Sequence, residues 1–406
     1  MSIAFAGGSG AFTVCSHLGG SGGGCCQFMQ YLDRWDCASL RLVCKELYDM
    51  TKEYEVYVAA MAMRPSNYAS KRTLSQHNTR PESLGPLAWP LGRLQGRTTR
   101  VIDNPSALAG IVRRPNGNIV TAACASGQVL EYSDKYNLLR ILADGLERPT
   151  GLALMSDGSV LVAETDAHCI RILASGCTYV GTSAPILAGA FGIQGHVDTA
   201  EPLAEASVAN FNFPVGLLVD PKNENVYVAD SHNHAIRMIC LTTKAVTTVV
   251  CEDLREPHGL CWGPNGAMFI ADTYHNSIKI IKDVRSLDVY AGQFKANKPE
   301  GSYHNGLAKD SLFSRPTSIV WHNDSLFVVD SHNMKVRQIY MGSKKNKKAL
   351  MVKDLCGSMA YTNIYNDENA VIETMYDGPL KWPFGICIGP RGSLLVSDVS
   401  GISEIV

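Results

Sequence analysis

Along the last three-quarters of the chain, apolar and polar positions come in short bursts cut by glycine, proline and asparagine. One unit shows the pattern. Gly259-Leu260-Cys261-Trp262 is followed by a turn at Asn265-Gly266, and Met268-Phe269-Ile270-Ala271 then ends on Asp272. After a polar turn, Ser277-Ile278-Lys279-Ile280 alternates with period two, as a half-buried strand does. An Asn-Gly pair between apolar runs is a strong hairpin signal. A fourth run ends in a small-residue pair, at Ala188-Gly189, Ala291-Gly292 and Cys356-Gly357. The unit therefore predicts four short antiparallel strands.

The unit recurs. RPTGLALMSDGSVLVAETDAHCIRI, FPVGLLVDPKNENVYVADSHNHAIRMI, EPHGLCWGPNGAMFIADTYHNSIKII, RPTSIVWHNDSLFVVDSHNMKVRQI and WPFGICIGPRGSLLVSDVSGISEIV align, and ALAGIVRRPNGNIVTAACASGQVLEYS precedes them as a weaker copy. Gly110, Gly151, Gly216, Gly259, Ser318 and Gly385 fall in one column. A lone four-stranded sheet cannot cover both of its faces, but six stacked radially can. The expectation is an all-β, six-bladed β-propeller over residues 98–406. The last copy reaches only its third strand at Ile405-Val406, while the β-prone piece Arg97–Ile102 stands unassigned before the first. That piece is expected to supply the outer strand of blade 6 and remove an open edge.

Texture changes upstream. Residues 1–24 are rich in Gly and Ser and read as a disordered tail. Residues 25–63 carry a helical pattern, with Asp36 as an N-cap and Leu40, Val43, Cys44, Leu47 and Met50 on one face. Residues 64–97 read as a basic, Pro-containing linker.

Composition narrows the function. The 406 residues are 46% hydrophobic and 18% charged, with a net charge of -1, so no global field draws polyanions. The 13 cysteines show no C-x-x-C pair, and reduced thiols in a cytoplasmic or nuclear protein are expected. The N-terminal residues lack a basic n-region and read as no secretory leader. No apolar run reaches the length of a membrane span.

Pro-x-Gly, then V-A-D, then N-H-x-I-R resembles the NHL repeat family, and Asp230-Ser231-His232-Asn233-His234-Ala235-Ile236-Arg237 is similar to its consensus. The resemblance implies a propeller, a fold that hosts lyases, RNA binders and protein-binding modules alike. Tyr31-Leu32-Asp33 and Ser39–Tyr48 resemble the second half of an F-box, with Gly19–Gly24 where that family opens on Leu-Pro. This second resemblance implies a substrate receptor of a cullin-type ubiquitin ligase. Residues 28–50 would dock on an Skp-type adaptor through Leu40, Val43 and Leu47, and the ring would hold a substrate protein. The chain would be monomeric outside that complex.

Candidate chemistry is sparse. Glu164, Asp230, Asp272, Asp330 and Asp398 recur at one place in five blades, matched by Arg171, Arg237, Lys279 and Arg337. Recurrence in every blade points to structure, an acid holding the turn that follows. Copy one lacks both partners, with Ala123 and Leu130 in those columns. The resemblance to metal-dependent lyases of the family implies several histidines near the axis, yet after the proline stand Thr150, Val215, His258, Thr317 and Phe384. One imidazole cannot supply three zinc ligands. No catalytic residue, metal or cofactor is expected, and a metal-dependent propeller hydrolase or lyase is the alternative. RNA binding is the third reading and is not favoured, since the Lys344–Lys348 run is a single loop. His232, His234, His275 and His332 are expected on turns away from the central channel. The long connections at 190–213, 293–315 and 358–382 share one face, so partner-binding candidates are Phe191, His196, His232, Phe294 and Tyr303.

Overall fold

The computed structural model describes residues 94–180, 183–199, 209–282, 286–294, 301–342, 349–357 and 379–406. The chain divides into two compact units, and the second, Ser70–Ala370 with Thr374–Val406, contains all of these. The tail at 1–24, the F-box-like segment with Leu40, Val43 and Leu47, most of the linker and the Lys344–Lys348 run lie outside the described residues.

Strands assemble into six sheets. Blade 1 holds Leu108–Arg113, Ile119–Ala123, Gln128–Tyr132 and Leu138–Asp144; blade 2 holds Pro149–Leu154, Val160–Glu164, Cys169–Leu173 and Ile186–Gly189. Blade 3 runs from Pro214–Val219 through Asn225–Asp230 and Ala235–Cys240 to Val246–Val250. Blade 4 runs from Pro257–Trp262 through Met268–Asp272 and Ser277–Ile281 to Leu287–Ala291. Blade 5 comprises Pro316–His322, Ser325–Asp330, Lys335–Met341 and Leu350–Gly357, and blade 6 begins with Gly385–Ile388, Leu394–Asp398 and Gly401–Ile405. The first strand of each blade packs on the first strand of the next, and that of blade 6 returns to that of blade 1. The ring is closed.

Closure follows the sequence expectation. Thr98–Asp103 pairs antiparallel with Gly401–Ile405, Thr99 opposite Glu404 and Arg100 opposite Ser403. Blade 6 thus joins both ends of the ring and leaves its third strand no open edge. Two short strands were not foreseen. Tyr179–Val180 adds in parallel to the rim of blade 1, and Gly306–Leu307 adds beside Leu350–Gly357 in blade 5.

Burial explains why these residues form strands without strict alternation. Second strands such as Val160–Glu164, Met268–Asp272 and Leu394–Asp398 are buried at every position, because a blade is covered on both faces. The rim strand Leu138–Asp144 exposes Leu138, Leu139 and Ile141 and buries only Leu142 and Ala143. Six apolar clusters fill the spaces between successive blades. Leu161, Ile170, Phe211, Leu217 and Val228 join blades 2 and 3, for example, and Ile102, Leu108, Ile119 and Ile402 join blades 6 and 1.

The recurring glycine has a steric cause. A Cβ on Gly151 would fall on the carbonyl of Val215, one on Gly216 on that of His258, and one on Gly385 on that of Ala109. At the axis the first strands approach backbone to backbone. A Gly216→Val variant is expected to lose about 3 kcal/mol by forcing blades 3 and 4 apart. Thermal unfolding would check this.

Candidate functional site: the axial mouth and the loop-bearing face

The antiparallel registers place four features on one face of the ring: the starts of the first strands, the ends of the second, the starts of the third and the ends of the fourth. Polar turns and long connections therefore gather there.

The repeated acids build this face. Glu164, Asp230, Asp272, Asp330 and Asp398 are all buried. Each accepts a backbone N–H from the residue two positions before the Pro of its own blade: Glu147 at 2.8 Å, Asn212 at 2.7 Å, Arg255 at 2.7 Å, Ser314 at 2.7 Å and Lys381 at 3.1 Å. Four take an ion pair from their own third strand: Arg171 on Glu164 at 2.5 Å, Arg237 on Asp230 at 2.9 Å, Lys279 on Asp272 at 3.0 Å and Arg337 on Asp330 at 2.8 Å. Blade 6 has Ser403 in the cation column, and Arg100 of the closing strand reaches Asp398 instead, at 2.7 Å. Blade 1 carries a different knot, in which Glu131 takes Arg114 at 3.1 Å and Arg140 at 2.8 Å. The acids are structural, but the N–H that all five accept lies before the first strand of their blade and not, as expected, in the turn after the acid, where Asp398 also accepts the N–H of Ser400 at 2.8 Å.

The next residue in each blade adopts a left-handed conformation: Ala107, Arg148, Phe213, Glu256, Arg315 and Trp382, with φ between 46° and 52°. This is uncommon for residues with a side chain. The neighbouring blade stabilises four of these turns. The N–H of Phe213 donates to His168 Nδ1 at 3.2 Å, that of Glu256 to His234 Nδ1 at 3.1 Å, that of Arg315 to Asn276 Oδ1 at 2.8 Å and that of Trp382 to Met334 Sδ at 3.0 Å. A hydroxyl or thiol just past the second strand adds a latch between blades. Cys124 donates to the carbonyl of Pro149, Thr165 to Pro214, Ser231 to Pro257 and Thr273 to Pro316. The sequence signal for these latches is a Ser, Thr or Cys in one column, next to the acid.

These turns aim an unusual set of side chains at the axis. Arg148 pairs with Asp166 at 2.6 Å and lies 5.1 Å over the Phe213 ring, on which His232 stacks at 4.2 Å. Arg315 lies 3.3 Å over the ring of Tyr274. His258 is buried 6.0 Å from Phe384, and His332 meets Trp382 edge-on at 5.3 Å. Burial, with His232, Arg315 and Arg148 adding to it, lowers the His258 imidazole to about 3. Burial beside Arg315 does the same for His332, also to about 3. His232 and His332 thus sit at the mouth of the axis, which corrects the expectation that they lie away from the channel. The cause is the shared start of the first strands and end of the second.

His168 and His234 are likewise shifted down by burial, helped by Arg148 and Arg255 respectively. Only an unprotonated Nδ1 can accept the N–H bonds described above. Below the unfolded value near 6.5 the unfolded chain binds a proton that folded His258 refuses, so the contribution of His258 to stability rises with pH from about 3 to 6.5 and is level above it. For His258 alone the expected loss on going from pH 7 to pH 5 is about 2 kcal/mol. Urea unfolding at the two pH values checks this, and His258→Asn should shrink the difference.

Among the described residues, no three His, Cys, Asp or Glu side chains converge to hold a metal ion. Burial pushes the thiols of Cys124, Cys169 and Cys387 up to about 12, which keeps them protonated. No described helix is long and apolar enough to cross a membrane.

The partner-binding candidates divide. Phe191 and Phe294 are each 41% exposed at matching places after Ala188-Gly189 and Ala291-Gly292, Phe191 against Arg171 and Phe294 against His275. Ile193 and Val197 are exposed beside Phe191 in the same connection. His196 is exposed and shares a hydrogen bond with Thr248 at 3.1 Å. Tyr303 is half-buried, not exposed. Its hydroxyl donates to Asp354 at 2.6 Å, and burial with that carboxylate raises it to about 12. The connections are also tied down. Arg237 bonds to the Val197 carbonyl at 2.7 Å and to Asp198 at 2.6 Å, and Arg337 bonds to the His304 carbonyl at 2.5 Å.

Comparison with known proteins agrees with the fold. NHL repeat-containing protein 2 of Bos taurus is 29% identical over 160 residues, which are 34% of this chain and 21% of that protein. The chain therefore matches about a fifth of that relative's length. A structural-genomics protein of Bacteroides thetaiotaomicron superposes with a TM-score of 0.56 at 14% identity, over 76% of this chain and 75% of that one. An auxiliary nutrient binding protein of the same organism superposes with a TM-score of 0.55 at 14% identity, over 74% and 69%. The NHL repeat model matches residues 146–173 and 211–237, which are blades 2 and 3. The described part of this chain is a six-bladed propeller whose blades 2 and 3 match the NHL repeat.

Proposed function

We propose that this chain is a protein-interaction scaffold that presents its loop-bearing face to a partner protein. The observation that carries the reading is the exposure of Phe191, Ile193 and Val197 on a connection that Arg237 holds, and of Phe294 at the matching place two blades on. Large apolar side chains exposed together on one face suit a protein contact. We further propose that residues 28–50 recruit an Skp-type adaptor, which makes the chain an F-box-like receptor for a substrate bound by the ring. The F-box resemblance supports that second step.

The test places a photo-reactive phenylalanine at position 191 or 294, and at 388 on the opposite face, in cells that express the chain. Protein adducts from 191 and 294 but not from 388 are expected; equal labelling from all three would refute the reading. For the adaptor, Leu47→Asp should abolish binding of the purified Skp-type protein to the full chain, and unchanged binding would refute that step.

A further inference from the structure

Three large apolar side chains stand out from the connection between blades 2 and 3. Phe191, Ile193 and Val197 are 41%, 54% and 47% exposed. The Ile193 N–H donates to the Ala190 carbonyl at 3.0 Å and Gly192 takes a φ of 73°, so Phe191 sits at the tip of a tight turn. The Gly195 N–H donates to the Phe211 carbonyl at 2.9 Å and Arg237 to that of Val197 at 2.7 Å, which ties the rest of the patch to the ring. We propose that this patch docks a partner segment in which an apolar side chain is flanked by lysine or arginine, an inference that rests on reading this face as a protein-binding surface.

Charge decides the occupant. Arg237 is one guanidinium against two carboxylates, Asp230 at 2.9 Å and Asp198 at 2.6 Å, and Asp198 is the exposed one, next to Val197. In blade 5 the matching Arg337 also meets two carboxylates, Asp330 and Asp354, but Lys335 lies 3.1 Å from Asp354 and balances them. The surplus negative charge therefore falls beside the patch, at blade 3. Thr248 bonds to both His196 and Asp198, and its strand runs on into Glu252 and Asp253, both exposed. On the other flank Glu147 is exposed; its carbonyl accepts the Asp166 N–H, and the Ala167 carbonyl accepts that of Gly192. Against these acids stands Arg255, also exposed. An apolar patch inside such a rim attracts a segment with basic residues beside its anchor and repels acidic segments and phosphodiester chains.

The probes are a labelled Gly-Lys-Lys-Leu-Phe-Lys-Lys-Gly peptide, a counterpart with glutamate for lysine and one with serine for Leu-Phe, read by fluorescence anisotropy against the full chain. The lysine peptide should bind at least about tenfold more tightly than the glutamate one. It should also bind at least about fivefold more tightly than the serine one, which lacks the anchor. Glu147→Lys with Glu252→Lys reverses both flanks and should weaken the lysine peptide by about tenfold while tightening the glutamate one. Glu224→Lys, exposed on the opposite face, should change neither. Val197→Ser should weaken the lysine peptide about threefold or more. All these positions are exposed, so the ring keeps its fold in each variant, and the unfolding midpoint checks that. No binding of the lysine peptide, equal binding of it and either counterpart, or indifference to the double reversal would each overturn the proposal. Partner adducts at positions 191 and 294 that persist in that case would leave the scaffold reading standing.

Discussion

An Arg337→Met variant is expected to lose about 3–5 kcal/mol of stability, because it strands a buried carboxylate. Arg337 and Asp330 are both fully buried, and the guanidinium also bonds to the Leu312 and His304 carbonyls and to Asn305. Methionine replaces the aliphatic stem and omits the guanidinium, so the loss reports mainly charge and hydrogen bonds. Asp330 would keep the Ser314 N–H and Asn333, which cannot neutralise it. Equilibrium unfolding in urea measures the change. The double variant Asp330→Leu with Arg337→Met should cost clearly less than the sum of the single changes, since it removes both charges together. Hydrogen exchange should also quicken at Ser302 and His304, whose connection Arg337 and Asn333 hold.

Removing the closing strand should do more. A chain that starts at Asn104 lacks Thr98–Asp103 and leaves Gly401–Ile405 as an open edge. It also removes Arg100 from Asp398, which is fully buried. Loss of the pair alone is expected to cost about 3 kcal/mol, and the uncovered edge and the lost Ile102 contacts with blade 1 add to it. The expected outcome is a ring that no longer unfolds in one cooperative step and that self-associates through its exposed edge. Size-exclusion chromatography and calorimetry would show both. An Arg100→Met point variant isolates the ion pair and should stay monomeric.

Much of the ring was legible because each blade repeats the same constraints. The glycine column marks where backbones touch at the axis. The acid column marks where a turn must be held, and the unassigned Arg97–Ile102 marks the missing strand. What stayed hidden depends on contacts between blades. Arg100 fills the cation place of blade 6 from the far end of the chain, so no column within blade 6 could show it. The left-handed residues before proline were not readable either, since Arg148, Phe213, Glu256, Arg315 and Trp382 share no chemistry. What Phe213, Glu256, Arg315 and Trp382 share is an acceptor supplied by the preceding blade, as with His168 and Asn276. Tyr303 looked like a loop aromatic open to solvent, but Asp354 and the buried Arg337 draw it down. The axial mouth was missed for the same reason: its side chains come from five blades and meet only in the closed ring.

Closure is therefore the claim on which the faces, the mouth and the loops depend. It can be tested by a Thr99→Cys, Glu404→Cys double variant, because these two positions stand opposite each other across the closing strand pair. Mild oxidation followed by peptide mass spectrometry should find a 99–404 disulfide within single, monomeric chains. A 99–404 link found only between chains, or none at all in folded protein, would contradict the closed ring.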